Sequence, residues 1–366
     1  MLIVSFMNFW QQLPKSFFVV APMADVTDAA FRRIIAKHGR PDVMWTEFVA
    51  ADGLMRATPK GKAKLMADLI YSEEERPIVA QLFTSNVAHM EAAAKLCREL
   101  GFDGVDINMG CPDQSIEKQG CGSAMIKNPE NAAAIIRAAK RGAKMGEADG
   151  IPVSVKTRIG YNIDEIDTWI PHLLKEEPAA LTIHARTRKE MSKVPAQWER
   201  VARAVVLRDK LAPQVLIIGN GDVLSLDDAH QKVAQTGADG AMVGRALFGN
   251  PWFFHPTKRL PMRLHTLPTH GVDREKLFTH EDSVAGVQYI TLKESLLVMV
   301  EHTKLFAELL PHKNFAVMKK HYKAYVNGFP GAVELRHQLM EQNSADEVEA
   351  VVHAFLGAVD LNALDY

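Results

Sequence analysis

One alternation, repeated eight times, constrains this chain more than anything else in it. From Ser16 to about His255 a short apolar run is followed by an amphipathic stretch at helical spacing, and then by the next run. The runs are FFVVAPM, VMWTEF, PIVAQLF, GVDINMG, PVSVKTR, ALTIHAR, QVLIIGNGD and GAMVGRA. The stretches between them include DAAFRRIIAKHG, NVAHMEAAAKLCRELG, NPENAAAIIRAAKRGAK, DEIDTWIPHLLKEE, QWERVARAVVLRDK and SLDDAHQKVAQTG. Apolar runs without alternation suit strands buried on both faces. Strands alternating with helices of this length mean βαβ units and a parallel sheet. The residues closing the runs are Met23, Glu47, Gln81, Asn108, Lys156, His184, Asn220 and Arg245, at steps of about 32 residues, the size of one βαβ unit. The expected fold is α/β, a (β/α)₈ TIM barrel over residues 17–255. An open doubly wound sheet is the rival. It is disfavoured because the first βα turn, APMADVTD, lacks the G-x-G-x-x-G phosphate fingerprint.

After Trp252 the pattern stops. Residues 1–16 read as an N-terminal lead and 256–290 as a linker. Residues 291–366 read as a small all-α domain built on LKESLLVMVEHTKLFAELL, HKNFAVMKKHYKAYVNG, AVELRHQLMEQ and SADEVEAVVHAFLGAV. Gly328 and Pro330 end one of these helices, and Ser344 with Glu347 forms a capping box for the last.

Composition excludes several classes. With 47% hydrophobic and 24% charged residues, the chain is not mainly disordered. Lys+Arg 43 against Asp+Glu 44 leaves a net charge of −1, so no general positive coat exists, though local basic patches can. Three cysteines, Cys97, Cys111 and Cys121, make no disulfide framework and point to a reducing compartment. No stretch reaches the roughly 20 apolar residues of a bilayer span. The N-terminus lacks a signal peptide's basic start. A soluble cytoplasmic protein without a membrane partner is expected. The oligomeric state is not readable, and a monomer is compatible with everything in the chain.

Barrels of this class carry their active site at the C-terminal ends of the strands. Asn220-Gly221-Asp222 after the seventh strand and Gly244-Arg245 after the eighth fit a phosphate site, with two tight turns as the bland alternative. Lys156 and His184 would point into the mouth, and with Gln81 could surround a polar planar ring. A buried lysine needs an anion or an electron-rich partner. Cys111, in the turn Gly110-Cys111-Pro112, is a candidate nucleophile or general acid. A small buried hydrophobe is its other reading, and one that suits Cys97 on an amphipathic helix. Cys121 stays ambiguous, and the cysteine spacing with no nearby His pair speaks against a metal. Arg158, Arg186 and Arg188 put positive charge at the rim, where an anionic substrate or plain solvation would suit them. In KNFAVMKKHYKAY, Lys313, Lys319, Lys320 and Lys323 are interleaved with aromatics, as in a nucleic-acid surface or an ordinary solvated face.

In order along the chain stand Ala21-Pro22-Met23-Ala24, Glu47, Gln81, DINMGCP with GCGSAMIKNP, VSVKTRIG, TIHARTR, IGNGD and MVGRALFGNPW. This ordered set resembles the tRNA-dihydrouridine synthases over roughly residues 17–255, and more loosely through the C-terminal helices. The resemblance implies an FMN barrel followed by a helical domain that helps hold tRNA. It implies FMN contacts from Pro22, Met23, Ala24, Gln81, Lys156, His184, Asn220, Gly221, Asp222, Gly244 and Arg245. It makes Cys111 the catalytic cysteine, and puts Asn108, Arg158 and Arg186 near the substrate nucleotide. Lys319 and Lys320 would face tRNA. The implied reaction reduces the C5–C6 double bond of uridines in tRNA. NADPH (or NADH) reduces the flavin, hydride passes to C6, and Cys111 protonates C5. The chain departs from the family pattern at Asp113-Gln114-Ser115, where many members carry a lysine, and at Cys121, where a small apolar residue is usual. Two other readings are an FMN barrel oxidoreductase acting on a small molecule, of dihydroorotate or enoate type, and an RNA-binding factor that has lost catalysis.

Overall fold

The computed structural model describes residues 8–144, 150–261 and 286–358. Part of the expected lead (1–7) and most of the expected linker (262–285) lie outside the described residues.

Strands form at all eight apolar runs: β1 (Phe17–Val20), β2 (Met44–Ala50), β3 (Ile78–Phe83), β4 (Gly104–Met109), β5 (Val153–Arg158), β6 (Ala180–His184), β7 (Leu216–Asn220) and β8 (Gly240–Val243). They are almost wholly buried, as runs without alternation require. All pairings are parallel, in the order β1-β8-β7-β6-β5-β4-β3-β2. A parallel bridge between Val19 and Val43, with the Val20 N–H donating to the Val43 carbonyl at 3.3 Å, joins the two ends. The sheet therefore closes into a (β/α)₈ barrel, and the open-sheet rival is excluded.

The helices are α1 (Ala29–His38), α2 (Ala51–Arg56), α3 (Pro59–Ala67), α4 (Val87–Glu99), α5 (Gln114–Glu117), α6 (Pro129–Ala143), α7 (Ile166–Leu174), α8 (Glu199–Leu211), α9 (Leu226–Thr236), α10 (Leu292–Leu309), α11 (Lys319–Tyr325), α12 (Ala332–Glu341) and α13 (Ala345–Ala358). Several of them start at capping residues. Asn86, Asn128 and Ser225 each accept a first-turn N–H, and Gly237 ends α9 in the left-handed region.

Two compact units result. One holds the chain through Ala24 and Asp42–Gly244; the other holds Asp25–Pro41 and the chain from Arg245 onward. In the first, Trp10 from a 3₁₀ turn over Phe9–Gln12 packs into a core cluster with Phe17, Trp45, Val79, Ile218 and Met242. The described end of the lead is thus part of the barrel's packing. In the second, α1 packs against α10, although in sequence it follows β1. Its Phe31 ring lies 5.9 Å from the ring of His302 and 5.6 Å from that of His321. The capping box at Ser344 is formed. Its Oγ accepts from the Glu347 N–H at 3.3 Å, and Glu347 accepts from the Ser344 N–H at 3.1 Å.

Candidate active site

Strand register sets the site in rows. Gln81, Asp106 and Ser154 stand opposite one another across β3, β4 and β5. Two residues further on, Asn108 stands opposite Lys156, and Lys156 opposite Thr182. At the strand ends Arg158, His184, Asn220 and Met242 form a third row. Because strand side chains alternate between faces, residues two apart on one strand share a face.

The first two rows are wired together. The Asp106 carboxylate accepts from Ser154 Oγ at 2.6 Å and from Gln81 Nε2 at 2.6 Å. Gln81 Oε1 accepts from Asn108 Nδ2 at 3.2 Å. Asn108 Oδ1 then accepts from the N–H groups of Gly110, at 3.1 Å, and Cys111, at 2.9 Å. Asp106 is fully buried, and burial raises its carboxyl to about 6 against the pull of Gln81, Ser154 and Lys156.

Cys111 is held from both sides. Its carbonyl accepts from the N–H and the hydroxyl of Ser123, each at 2.9 Å. Gly122 permits this closeness, since a Cβ there would stand 2.6 Å from the Cys111 carbonyl oxygen. Burial pushes the Cys111 thiol up. The Asp113 N–H and the charges of Arg158 and Lys156 oppose that push without reversing it. The sulfur is therefore a protonated thiol near neutral pH, suited to giving a proton rather than attacking as thiolate.

Lys156 is half-buried and donates to Asn220 Oδ1 at 3.1 Å. Burial, with the Arg158 charge, lowers its ammonium to about 8. Asn220 is turned toward it because Nδ2 donates to the Met242 carbonyl at 2.9 Å.

Two of the three rim arginines are committed inside the protein. Arg158 is buried and donates to the carbonyls of Gly110 (2.8 Å), Thr187 and Met191 (3.1 Å each). Arg186 is buried, pairs with Asp222, donates to the Val194 carbonyl at 2.6 Å and lies 3.0 Å from His184 Nε2. Arg188 pairs with Glu117, Nε to Oε1 at 2.9 Å. These arginines lock the Cys111 turn and the loops after β5 and β6, a role that the spacing alone did not reveal.

Gly221 has a φ of 124°, and a Cβ there would meet Ala196 at 2.7 Å, so glycine is required. Pro22 and Met23 are half-buried and Ala24 is exposed, just past β1. Gly244 follows β8, close to the Met23 sulfur. Arg245 opens a 3₁₀ turn over Arg245–Leu247 and belongs to the second unit. Lys319 and Lys320 are also in that unit, at the start of α11. Lys319 is half-buried; Lys320 is exposed and donates to the Asp25 carbonyl at 2.8 Å.

Cys97 is buried within α4, its thiol pushed up to about 12. Cys121 is buried against Phe83 and Ile116, its thiol pushed up to about 11 by burial. Sequence reasoning passed over Asp106, Ser154 and Glu117. An acid inside an apolar run, two residues before Asn108, was the available signal for the first. Among the described residues no group of three His, Cys, Asp or Glu could hold a metal, and no helix is long and apolar enough to cross a membrane.

The model of one protein family, described as Dihydrouridine synthase (Dus), matches residues 19–360. The chain is 39% identical over 357 residues to the "Probable tRNA-dihydrouridine synthase 2" of Bacillus subtilis (strain 168), covering 95% of this chain and 96% of that one. It is 37% identical over 356 residues to the "Probable tRNA-dihydrouridine synthase" of Staphylococcus aureus (strain MRSA252), covering 96% of this chain and 97% of that one. The chain with this barrel and this cysteine turn belongs to the dihydrouridine synthase family.

Proposed function

We propose that this enzyme is a tRNA-dihydrouridine synthase that reduces the C5–C6 double bond of uridines in tRNA, with FMN as its cofactor and NADPH or NADH as reductant. The observation that carries this reading is the dihydrouridine synthase family match over residues 19–360, with Cys111 held in its turn by Asn108 and Ser123.

The donor set fits a flavin. Lys156 offers a cation to an electron-rich ring or an anion, and Gln81 and Asn220 have fixed amide directions. Gly221 admits a close backbone approach that no larger residue allows. In this reading Pro22, Met23, Ala24, His184, Asp222, Gly244 and Arg245 complete the FMN contacts. Bound FMN supplies hydride to C6 once reduced. Cys111 holds the proton for C5 and delivers it from Sγ, while Asn108 fixes the turn that carries it. Arg158 and Arg186 hold the rim in shape around the nucleotide. The uracil must leave its stack to reach such a site, so the surrounding RNA has to be gripped. Residues 291–366, with Lys319 and Lys320, are assigned that work, the barrel of residues 17–255 the chemistry. The enzyme acts where tRNA is, in the cytoplasm, and a monomer suffices.

The test is single turnover. Enzyme reduced anaerobically is mixed with tRNA lacking dihydrouridine, and flavin reoxidation and dihydrouridine content are followed together. Reoxidation only by enones or orotate would select the small-molecule oxidoreductase instead. A purified protein without flavin absorbance would favour an RNA-binding factor.

A further inference from the structure

We infer that Asp106 is the positioning residue for the proton donor: acting through Gln81 and Asn108, it sets the direction of a hydrogen-bonded relay that ends on the backbone of Cys111. The inference rests on the role proposed above for Cys111.

The relay has a polarity. An ionised carboxylate only accepts. Asp106 therefore takes the Gln81 NH₂, which turns Gln81 Oε1 toward Asn108. That oxygen takes the Asn108 NH₂, leaving Asn108 Oδ1 for the N–H groups of Gly110 and Cys111. Those backbone groups can only donate, so both ends of the relay demand the same direction. Every member is buried or nearly so, and the second Asp106 oxygen is filled by Ser154 Oγ. In such a place a reversed amide would set donor against donor, with no water to repair the loss. An anion under an apolar barrel is costly, and apolar residues would fill the same space. What it gives this site in return is a direction imposed on two amides, one of which holds the turn carrying the thiol.

Asp106 touches neither substrate nor thiol, so its effect should be local and distinct from general loosening of the core. Asp106→Asn keeps an oxygen for Gln81, with its NH₂ turned to the Ser154 hydroxyl. Asp106→Leu keeps the bulk and removes the acceptor. Amide hydrogen exchange on the flavoprotein, resolved by NMR, reads the end of the relay directly. In the Asn variant protection at Gly110 and Cys111 should stay within about threefold of the parent. In the Leu variant it should fall at least about tenfold at those two amides, while β6 and β7 keep theirs. Flavin reoxidation by tRNA should slow in kcat by about tenfold or more in the Leu variant, with KM for tRNA unchanged. If the Leu variant does not fold, Asp106→Ser, whose hydroxyl is too short to reach Gln81, gives the same readout. Unchanged protection in the Leu or Ser variant overturns the inference, as does an Asn variant that loses as much as Leu. The exchange measurement needs no tRNA and no reductant. A relay confirmed there in a protein inactive on tRNA would sink the proposed function, and with it the proton donor's role, and leave only the wiring of the Cys111 turn standing.

Discussion

Lys156 reaches across from β5 to β7 and donates to Asn220 Oδ1 at 3.1 Å, past the intervening strand. Burial brings its ammonium from the ordinary 10.5 down to about 8. A depressed folded value means that the unfolded chain holds the proton more firmly between about 8 and 10.5. This lysine therefore opposes folding below pH 8, and the opposition fades as pH rises through that window, at about 1.4 kcal/mol per pH unit. We predict that Lys156→Met melts higher than the parent in flavin-free protein at pH 7, with the gap closing toward pH 10.5, and that it purifies with less flavin. A variant that melts lower at pH 7 while keeping its flavin would contradict both halves.

Cys111 carries the proton in the proposed reaction, and its side chain takes no part in the wired rows beneath it. Cys111→Ala should retain FMN and its reduction by NADPH, yet lose at least about a hundredfold in dihydrouridine formation. Absorbance spectra, stopped-flow reduction and nucleoside mass spectrometry check the three statements separately. Wild-type modification rates would remove the role assigned to the thiol.

The second unit buries two neighbouring histidines. His302 and His321 lie fully buried with ring centroids 4.7 Å apart, and their ring nitrogens have no hydrogen-bond partner among the described residues. Burial takes His302 down to about 3 and His321 well below its ordinary value of 6.5. Both bind protons in the unfolded chain before they do so in the folded one. Stability should therefore fall as pH drops below about 6.5, by about 1.4 kcal/mol per pH unit for each histidine. His302→Phe should flatten that slope by about half between pH 6 and pH 4.5. Urea titrations across this range measure it, and an unaltered slope would place the acid sensitivity elsewhere.

Half-buried Lys319 and exposed Lys320 begin α11, with exposed Lys323 one turn on. Replacing both Lys319 and Lys320 by Glu should weaken tRNA binding and lower the slope of log K against log salt by about 1 to 2. Filter binding over a salt series gives both numbers. Identical affinity and slope would take this helix off the binding surface.

The barrel was legible because buried parallel strands leave an unbroken apolar signature, and all eight runs became strands. His184 and Asn220 end their strands as the runs suggested, whereas Glu47, Gln81, Asn108 and Lys156 lie inside theirs and Met23 and Arg245 lie beyond theirs. Some helical starts followed local capping chemistry, as at Ser344 and Asn128. The fates of Arg158 and Arg186 were not legible. Charge after a strand looks the same in sequence whether it meets solvent, substrate or, as here, a set of carbonyls and Asp222.

By itself the sequence determined the number and order of strands, the boundaries of most helices and the identity of the thiol at the turn. These depend on periodicity and on neighbours a few residues away. Tertiary structure alone decided that α1 packs with α10, that Asp106 meets Gln81 and Gln81 meets Asn108, and that burial pushes the Cys111 thiol up. Each of those depends on burial and on partners far apart in the chain: hydrogen-bond direction and proton affinity are set by what surrounds a group in space.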